Sequence, residues 1–359
     1  MKKIFVMLAA LAAMVGCNPS KCEIVGGLDN FNAVGYVYLT DMWDARSVID
    51  SVKLEGNTFH FKSIKHAPTF AQLMLDSGRP ISYVFVEPGK VRVAGDYKMS
   101  SIKATGTPAN DAFEAMMARS QELVADYREA VNTENLEKAE AIDKEYEAMQ
   151  NDYFEQNKAN VFGLFMLQQM SYSEPAKVVL DKLELLSDEM KQIALVARLK
   201  DTAERKFKTE PQVEGSDYVP HFIDIAQPNL AGEEVSLRSV VENKKKRYVL
   251  LDFWASWCGP CMREVPTLLE AYKLYHKKGF EIYGVSFDAK REAWEDAIKK
   301  HKMGWVNVST LERFDNPAAQ DYAVESIPTN FLIDCSNGVI IAKNLRGEQV
   351  LEKLAELLK

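Results

Sequence analysis

The stretch that decides the fold is Asp252-Phe253-Trp254-Ala255-Ser256-Trp257-Cys258-Gly259-Pro260-Cys261. Two cysteines, separated by two residues, follow an apolar run over residues 247–254 that is typical of a buried strand. They open an amphipathic segment over residues 258–277 that is typical of a helix. At a helix N-terminus, thiols at this spacing can reach bonding distance, and unpaired N–H groups stabilise a thiolate. The pattern therefore indicates a redox-active pair, Cys258 and Cys261.

A zinc site is the first alternative, because a Cys-x-x-Cys pair is also half of a four-cysteine zinc site. The chain has five cysteines, and the other three, Cys17, Cys22 and Cys335, supply no second pair of this spacing. The five histidines are scattered without metal-ligand spacing. We therefore expect neither a metal nor a cofactor, and we interpret Cys335, at a predicted turn, as a bystander thiol.

The first residues indicate export. Two lysines precede an apolar run over residues 4–15, which is too short to span a bilayer but fits a cleavable signal peptide over residues 1–16. Gly16-Cys17 resembles the lipobox of bacterial lipoproteins, with Met14 in place of the usual Leu, and predicts lipidation of Cys17. The alternative is a plain secreted protein with Cys17 an ordinary thiol. Either way the protein is exported, and with a lipid on Cys17 we expect it in the cell envelope, periplasmic or on the outer face of a membrane.

Composition and patterning divide the rest of the chain into three zones. The 359 residues carry a formal charge of −8 and no basic stripe, so nothing favours nucleic-acid binding. Residues 22–107 contain short β-rich runs between turn residues and predict an N-terminal antiparallel β-sandwich. Residues 110–208 carry apolar side chains at helical spacing and predict a helical middle region. Residues 213–359 alternate strands and helices, which is typical of an α/β domain.

The residues around the cysteine pair carry a family resemblance. The stretch from Asp252 to Cys261 resembles thioredoxin, and Ile327-Pro328-Thr329 resembles the cis-proline segment of that fold. Cys261-x-x-Glu264-x-Pro266 and an insertion at about residues 303–326 are similar to the TlpA/ResA-like thioredoxins. The resemblance implies a thioredoxin-like α/β C-terminal domain. Residues 22–107 resemble a small β domain of unknown function that often precedes thioredoxin modules in exported bacterial proteins.

The resemblance also implies roles for individual residues. Cys258, nearer the helix start and more exposed in this fold, is expected to attack the substrate, and Cys261 to resolve the mixed disulfide. Asp252 is expected to exchange a proton with Cys261, and Glu264, one helical turn further, can reach the same region. The alternatives are a structural acid for Asp252 and an exposed helix charge for Glu264. The expected substrate surface consists of Trp257, Gly259, Pro260, Ile327 and Pro328.

The predicted function is reduction of protein disulfides by an exported, lipid-anchored thiol–disulfide oxidoreductase. Gly259-Pro260 matches thioredoxin, whose reduction potential is about −270 mV, and this match favours a reducing role. Sustained reduction outside the cytoplasm needs electrons that cross the membrane, so a membrane thiol reductase is the implied electron donor. A peroxiredoxin-like antioxidant is one alternative, although the sequence lacks the expected Pro-x-x-x-Thr/Ser-x-x-Cys setting. A binding or chaperone lipoprotein with an accessory redox domain is the second. The third is a structural lipoprotein with an inactive thioredoxin domain, which the two intact cysteines disfavour.

Overall fold

The computed structural model describes residues 21–31, 33–44, 46–211 and 218–359. These residues divide into two compact units, one with the described residues of 21–172 and 182–197, the other with those of 173–181 and 198–359. The predicted signal peptide and Cys17 lie outside the described residues. The bounds 22–107, 110–208 and 213–359 stay predictions. In the described part of the chain, no helix combines the length and apolarity needed to cross a bilayer.

Two four-stranded sheets form the start of the first unit, with orders β4-β1-β7-β8 and β3-β2-β5-β6. Ile24 of β1 and Leu39 of β2 belong to one buried cluster that draws on both sheets, which therefore pack face to face. The predicted antiparallel sheets are confirmed, with one parallel pairing between β1 and β7. The strands are β1 (Cys22–Asp29), β2 (Tyr36–Asp41), β3 (Val48–Lys53), β4 (Thr58–Ile64), β5 (Thr69–Leu75), β6 (Pro80–Val86), β7 (Gly89–Asp96) and β8 (Lys103–Thr105).

The predicted helical middle region is also confirmed. Helix α3 is apolar almost all round, and Phe162 and Phe165 in it pack edge-on against Phe85 of β6. Asn160 caps this helix by accepting hydrogen bonds from two backbone N–H groups. The helices are α1 (Pro108–Asn132), α2 (Leu136–Asn157), α3 (Val161–Met170), α4 (Ala176–Leu185), α5 (Asp188–Lys191) and α6 (Ala194–Thr209).

The second unit contains a five-stranded mixed sheet of order β13-β12-β11-β14-β15 and a separate two-stranded hairpin, β9 with β10. Strand β11 is parallel to β12 and antiparallel to β14, which gives the thioredoxin-like α/β arrangement. The elements are β9 (Ala226–Pro228), β10 (Glu234–Ser236), α7 (Leu237–Val241), β11 (Tyr248–Trp254), α8 (Gly259–Tyr275), β12 (Phe280–Ser286), α9 (Arg291–His301), β13 (Val306–Val308), α10 (Pro317–Asp321), β14 (Thr329–Asp334), β15 (Val339–Lys343) and α11 (Glu348–Leu357).

Strand β11 positions the cysteine pair. It lies at the centre of the sheet, and Val249, Leu250, Leu251 and Phe253 are fully buried. A central strand covered on both faces needs such a continuous apolar run, which explains why the sequence shows no alternation here. Asp252 interrupts the run. The strand ends at Trp254, and the chain then turns into α8.

Candidate active site

The Cys258–Cys261 disulfide lies at the start of α8. The two Cα atoms are 5.3 Å apart, within the ordinary range for a disulfide. Cys258 caps the helix, and its sulfur accepts a hydrogen bond of 3.1 Å from the Cys261 N–H. In the reduced protein this N–H and the helix dipole favour a thiolate on Cys258. Pro260 lies in the first turn, where its missing N–H removes no helical hydrogen bond.

Exposure hardly distinguishes the two cysteines. In the disulfide form Cys258 is 5% exposed and Cys261 is 3% exposed, so the expected difference is present in direction but very small. What distinguishes them is position, because Cys258 caps the helix while Cys261 lies inside its first turn. The assignment of Cys258 as nucleophile therefore depends on the helix terminus rather than on solvent access.

Asp288, which sequence reasoning missed, holds the turn between β11 and α8. Its buried carboxylate accepts hydrogen bonds from the Ser256 N–H at 3.0 Å and from the Ser256 hydroxyl at 2.5 Å. The Phe287 N–H donates to the Trp254 carbonyl at 2.8 Å. The available sequence signal was an acid two residues after the end of β12, the buried strand that neighbours β11.

The expected substrate-surface residues surround the disulfide. The Ile327–Pro328 peptide bond is cis, and the Ile327 carbonyl oxygen lies 3.7 Å from the Cys258 sulfur. Trp257 is 55% exposed, and its indole N–H donates to the Phe287 carbonyl at 3.3 Å. Gly259 and Pro260 are exposed at the helix start. Their substrate contacts remain a proposal.

Asp252 lies in β11 and is 7% exposed. Burial raises the pKa of its carboxyl to about 7, against the opposing effect of the Arg346 guanidinium, while the Glu264 carboxylate adds to the rise. A carboxyl with this pKa can accept and return a proton near neutral pH.

Glu264 occupies the second turn of α8, where it is half-buried. Its carboxylate accepts a hydrogen bond of 2.8 Å from the Gly347 N–H, so it holds the loop that follows β15. Gly347 has φ 49° and ψ −128°, a conformation that side-chain-bearing residues avoid. Glu264 therefore contacts the loop after β15, and its negative charge contributes to the raised pKa of Asp252.

Arg346 is a second residue that sequence reasoning missed. Its guanidinium donates hydrogen bonds to the carbonyl oxygens of Pro328 and Leu345. The Asn330 amide donates to the Leu345 carbonyl and accepts from the Leu345 N–H, both at 2.9 Å. Asn330 is the register partner of Asp252 on β14, so these bonds fix the Arg346 loop beside Asp252. A single arginine in a loop carries no periodic or motif signal.

The other described thiols are poorly suited to exchange. Burial raises the pKa of Cys22 to about 11 and that of Cys335 to about 12, so both stay protonated at neutral pH. Over the described ranges, no three His, Cys, Asp or Glu side chains group closely enough to hold a metal ion.

Two parts of this chain match known protein families, and they are the same two parts for which the sequence shows a family resemblance. The chain matches the thioredoxin-like family over residues 246–340 and a domain of unknown function (DUF4369) over residues 22–113. It is 31% identical over 153 residues to the thiol-disulfide oxidoreductase ResA of Bacillus cereus, covering 43% of this chain and 82% of that protein. The ResA of Bacillus subtilis is 29% identical over 147 residues, covering 41% of this chain and 76% of that protein.

Among solved structures, a thiol-disulfide oxidoreductase from Bacteroides fragilis is 40% identical to this chain. The match covers 38% of this chain and 99% of that one, with a TM-score of 0.36. The thioredoxin-like match contains the Cys258–Cys261 pair, and this chain spans more than two thirds of the length of both ResA proteins. The chain therefore belongs to the ResA-like family of thiol-disulfide oxidoreductases.

Proposed function

We propose that the protein reduces disulfides of other proteins in the cell envelope, with Cys258 as nucleophile, Cys261 as resolving thiol and Asp252 as the base. The observation that supports the proposal most is a helix-capping disulfide that directly follows the central strand β11, which carries a buried carboxyl, Asp252, with a pKa of about 7.

The reaction consists of two thiol–disulfide exchanges. The Cys258 thiolate attacks one sulfur of the substrate disulfide, so that a mixed disulfide forms and the other substrate sulfur leaves as a thiolate. Cys261 then gives its proton to Asp252 and attacks the Cys258 sulfur. The Cys258–Cys261 disulfide forms, and the second substrate sulfur leaves. The substrate gains two electrons and takes up two protons, and the protein is oxidised.

A base is required at the second step because Cys261 is buried and burial disfavours its thiolate. Asp252 fits this role since its own pKa lies close to neutral pH. Glu264 assists by its negative charge and by holding the Gly347 loop. Trp257, Gly259, Pro260, Ile327 and Pro328 bind the substrate segment around the reactive sulfur.

The oxidised protein must be reduced again before the next cycle. A thiol reductase in the membrane would supply these electrons, and a lipid on Cys17 would keep the protein at that membrane. The support for the anchor is the apolar run that ends at Gly16-Cys17. The support for the reducing direction is the Gly259-Pro260 pair between the cysteines.

The direction of electron flow is tested by the reduction potential of the Cys258–Cys261 pair. We expect a value near the −270 mV of thioredoxin, measured by equilibration with dithiol buffers and alkylation of free thiols. A value above roughly −180 mV would contradict a reducing role, because it lies in the range of disulfide-forming enzymes.

A further inference from the structure

Phe314 forms an exposed aromatic surface together with Trp257. It lies in the short 3-10 turn Arg313–Asp315, and the residue is 39% exposed. The ring centroid lies 6.4 Å from that of Trp257 and 5.0 Å from that of Phe287. Because Trp257 directly precedes Cys258, these two exposed rings, called here the aromatic rim, extend the surface around the disulfide.

The backbone that presents Phe314 is held in an unfavourable conformation. Leu311 and Arg313 have φ values of 62° and 54°, in the left-handed region that residues with a side chain rarely adopt. Such conformations persist where the surroundings enforce them, and they concentrate at functional sites.

Hydrogen bonds of three buried side chains, Gln227, Ser309 and Asn316, hold this loop in its conformation. The Asn316 and Gln227 side-chain amides donate to each other, at 2.6 and 3.1 Å. On the other side of the turn, the Ser309 hydroxyl accepts from the Leu311 N–H at 3.0 Å and donates to the Ser286 carbonyl at 2.8 Å. Phe314 is therefore fixed in place before any substrate arrives.

Packing against Phe287 does not by itself account for the position of Phe314, since more than a third of the residue's surface is exposed to solvent. The exposed charges beside it, Glu312, Arg313 and Asp315, include both signs and do not select a substrate of one charge. The apolar character of the aromatic rim is the feature that can discriminate between substrates.

We propose that Phe314 is a specificity-determining residue which, with Trp257, binds an apolar side chain next to the reactive cysteine of the substrate. This inference rests on the proposed function, because the substrate cysteine must reach Cys258 for the rim to contact its neighbours. Partial burial of one leucine side chain should make the rate constant for a leucine-containing substrate roughly tenfold higher than that for the same substrate with serine.

The test compares two disulfide-linked peptides that differ only in the residue beside one cysteine, leucine in one and serine in the other. Reduced full-length protein is mixed with each, and the ratio of the two rate constants is measured. We expect the wild-type protein to favour the leucine peptide by roughly tenfold. The Phe314→Ser variant should lower the ratio to about threefold or less, and Phe314→Leu should keep most of it.

Leu274→Ser is the matched control, because Leu274 is an exposed apolar residue near the far end of α8 and should leave the ratio unchanged. Equal wild-type rates on the two peptides would overturn the inference, as would an unaltered ratio in Phe314→Ser, while the proposed function would stand. If the wild-type protein reduced neither peptide, the proposed function itself would fail.

Discussion

Asp252 shows how a single residue can be unfavourable for folding and useful for catalysis. A carboxyl in the middle of a buried strand loses hydration when it ionises, which is why its pKa rises to about 7. The same rise gives a group that exchanges protons near neutral pH. Cys261, the buried partner in the proposed step, needs such a group.

Replacing Asp252 tests its role as the base. Asp252→Asn keeps the size of the side chain, and we expect it to slow the resolving step by about 10²-fold, the usual effect of losing a general base. In the wild-type protein the rate should rise with pH through about 7, and the variant should lose this rise. Stopped-flow reduction of a protein disulfide between pH 6 and 9 measures both effects. An unchanged rate and pH profile would exclude Asp252 as the base.

The stability of the same variant gives an independent check. The folded protein holds the Asp252 proton up to about pH 7, whereas the unfolded chain releases it near pH 4, so wild-type stability falls as pH rises between these values. Asp252→Asn removes this loss. Its stability advantage should therefore grow between pH 5 and 8, by up to roughly 3 kcal/mol at about 1.4 kcal/mol per pKa unit. Denaturant unfolding at both pH values measures it.

Residues that belong to a motif could be predicted from the sequence, and residues that act through a loop could not. The Cys258–Cys261 pair follows from spacing and context, and Asp252 follows from an acid within an apolar strand. Arg346 and Phe314 lie in loops, where no periodicity indicates which way a side chain faces. Their relevance depends on contacts with Pro328 and Trp257, which are distant in sequence.

At the scale of elements, helix α8 and the loop after β15 bring opposite charges to Asp252. Glu264 comes from the helix, and Arg346 comes from the loop. The Glu264–Gly347 hydrogen bond ties the two elements together. This arrangement lets the fold set the pKa of one buried carboxyl from two sides.

Because Arg346 and Glu264 carry opposite charges near Asp252, removing either charge should shift the pH profile of the resolving step, in opposite directions. Arg346→Met removes a positive charge and should raise the pKa of Asp252, which moves the midpoint of the profile to higher pH. Glu264→Gln removes a negative charge while keeping an oxygen for Gly347, so it should move the midpoint to lower pH, with a smaller effect on the rate than Asp252→Asn. Arg346→Lys serves as the charge-conserving control. Shifts of the same sign in the two neutral variants would refute this interpretation.

Some elements were hidden from sequence reasoning for identifiable physical reasons. Strand β1 contains Gly26-Gly27, and glycines weaken the sequence pattern by which a strand is recognised. The structure requires a glycine at position 26, because a Cβ there would lie 2.1 Å from the ring of Phe59. The close approach of β4 explains the glycine. The insertion at residues 303–326 carries β13, which pairs with β12 at the sheet edge and is too short for a sequence signal.

At the scale of the whole molecule, the reactive pair lies in the second compact unit, and the first unit contributes a β-sandwich and helices. The thioredoxin-like match covers residues 246–340 and the domain of unknown function covers residues 22–113. Export and anchoring stay predictions, which depend on the apolar run over residues 4–15 and on Cys17.

The anchor prediction concerns the mature N-terminus. We expect the protein from its native envelope to begin at Cys17, to carry lipid there and to partition into detergent. Cys17→Ser should abolish both lipid and partitioning, and Cys22→Ser provides the matched control. Mass spectrometry that finds an unmodified N-terminus on a protein of the aqueous phase would contradict the anchor.

Capture of the mixed disulfide tests most directly whether Cys258 is the nucleophile and Cys261 the resolving thiol. Reduced Cys261→Ala protein mixed with a disulfide-bonded protein should accumulate one adduct, and peptide mass analysis should place it on Cys258. Cys258→Ala should accumulate none and turn over no substrate, whereas Cys335→Ala should behave like the wild type. An adduct on Cys335 or Cys22, or continued turnover by Cys258→Ala, would contradict the account.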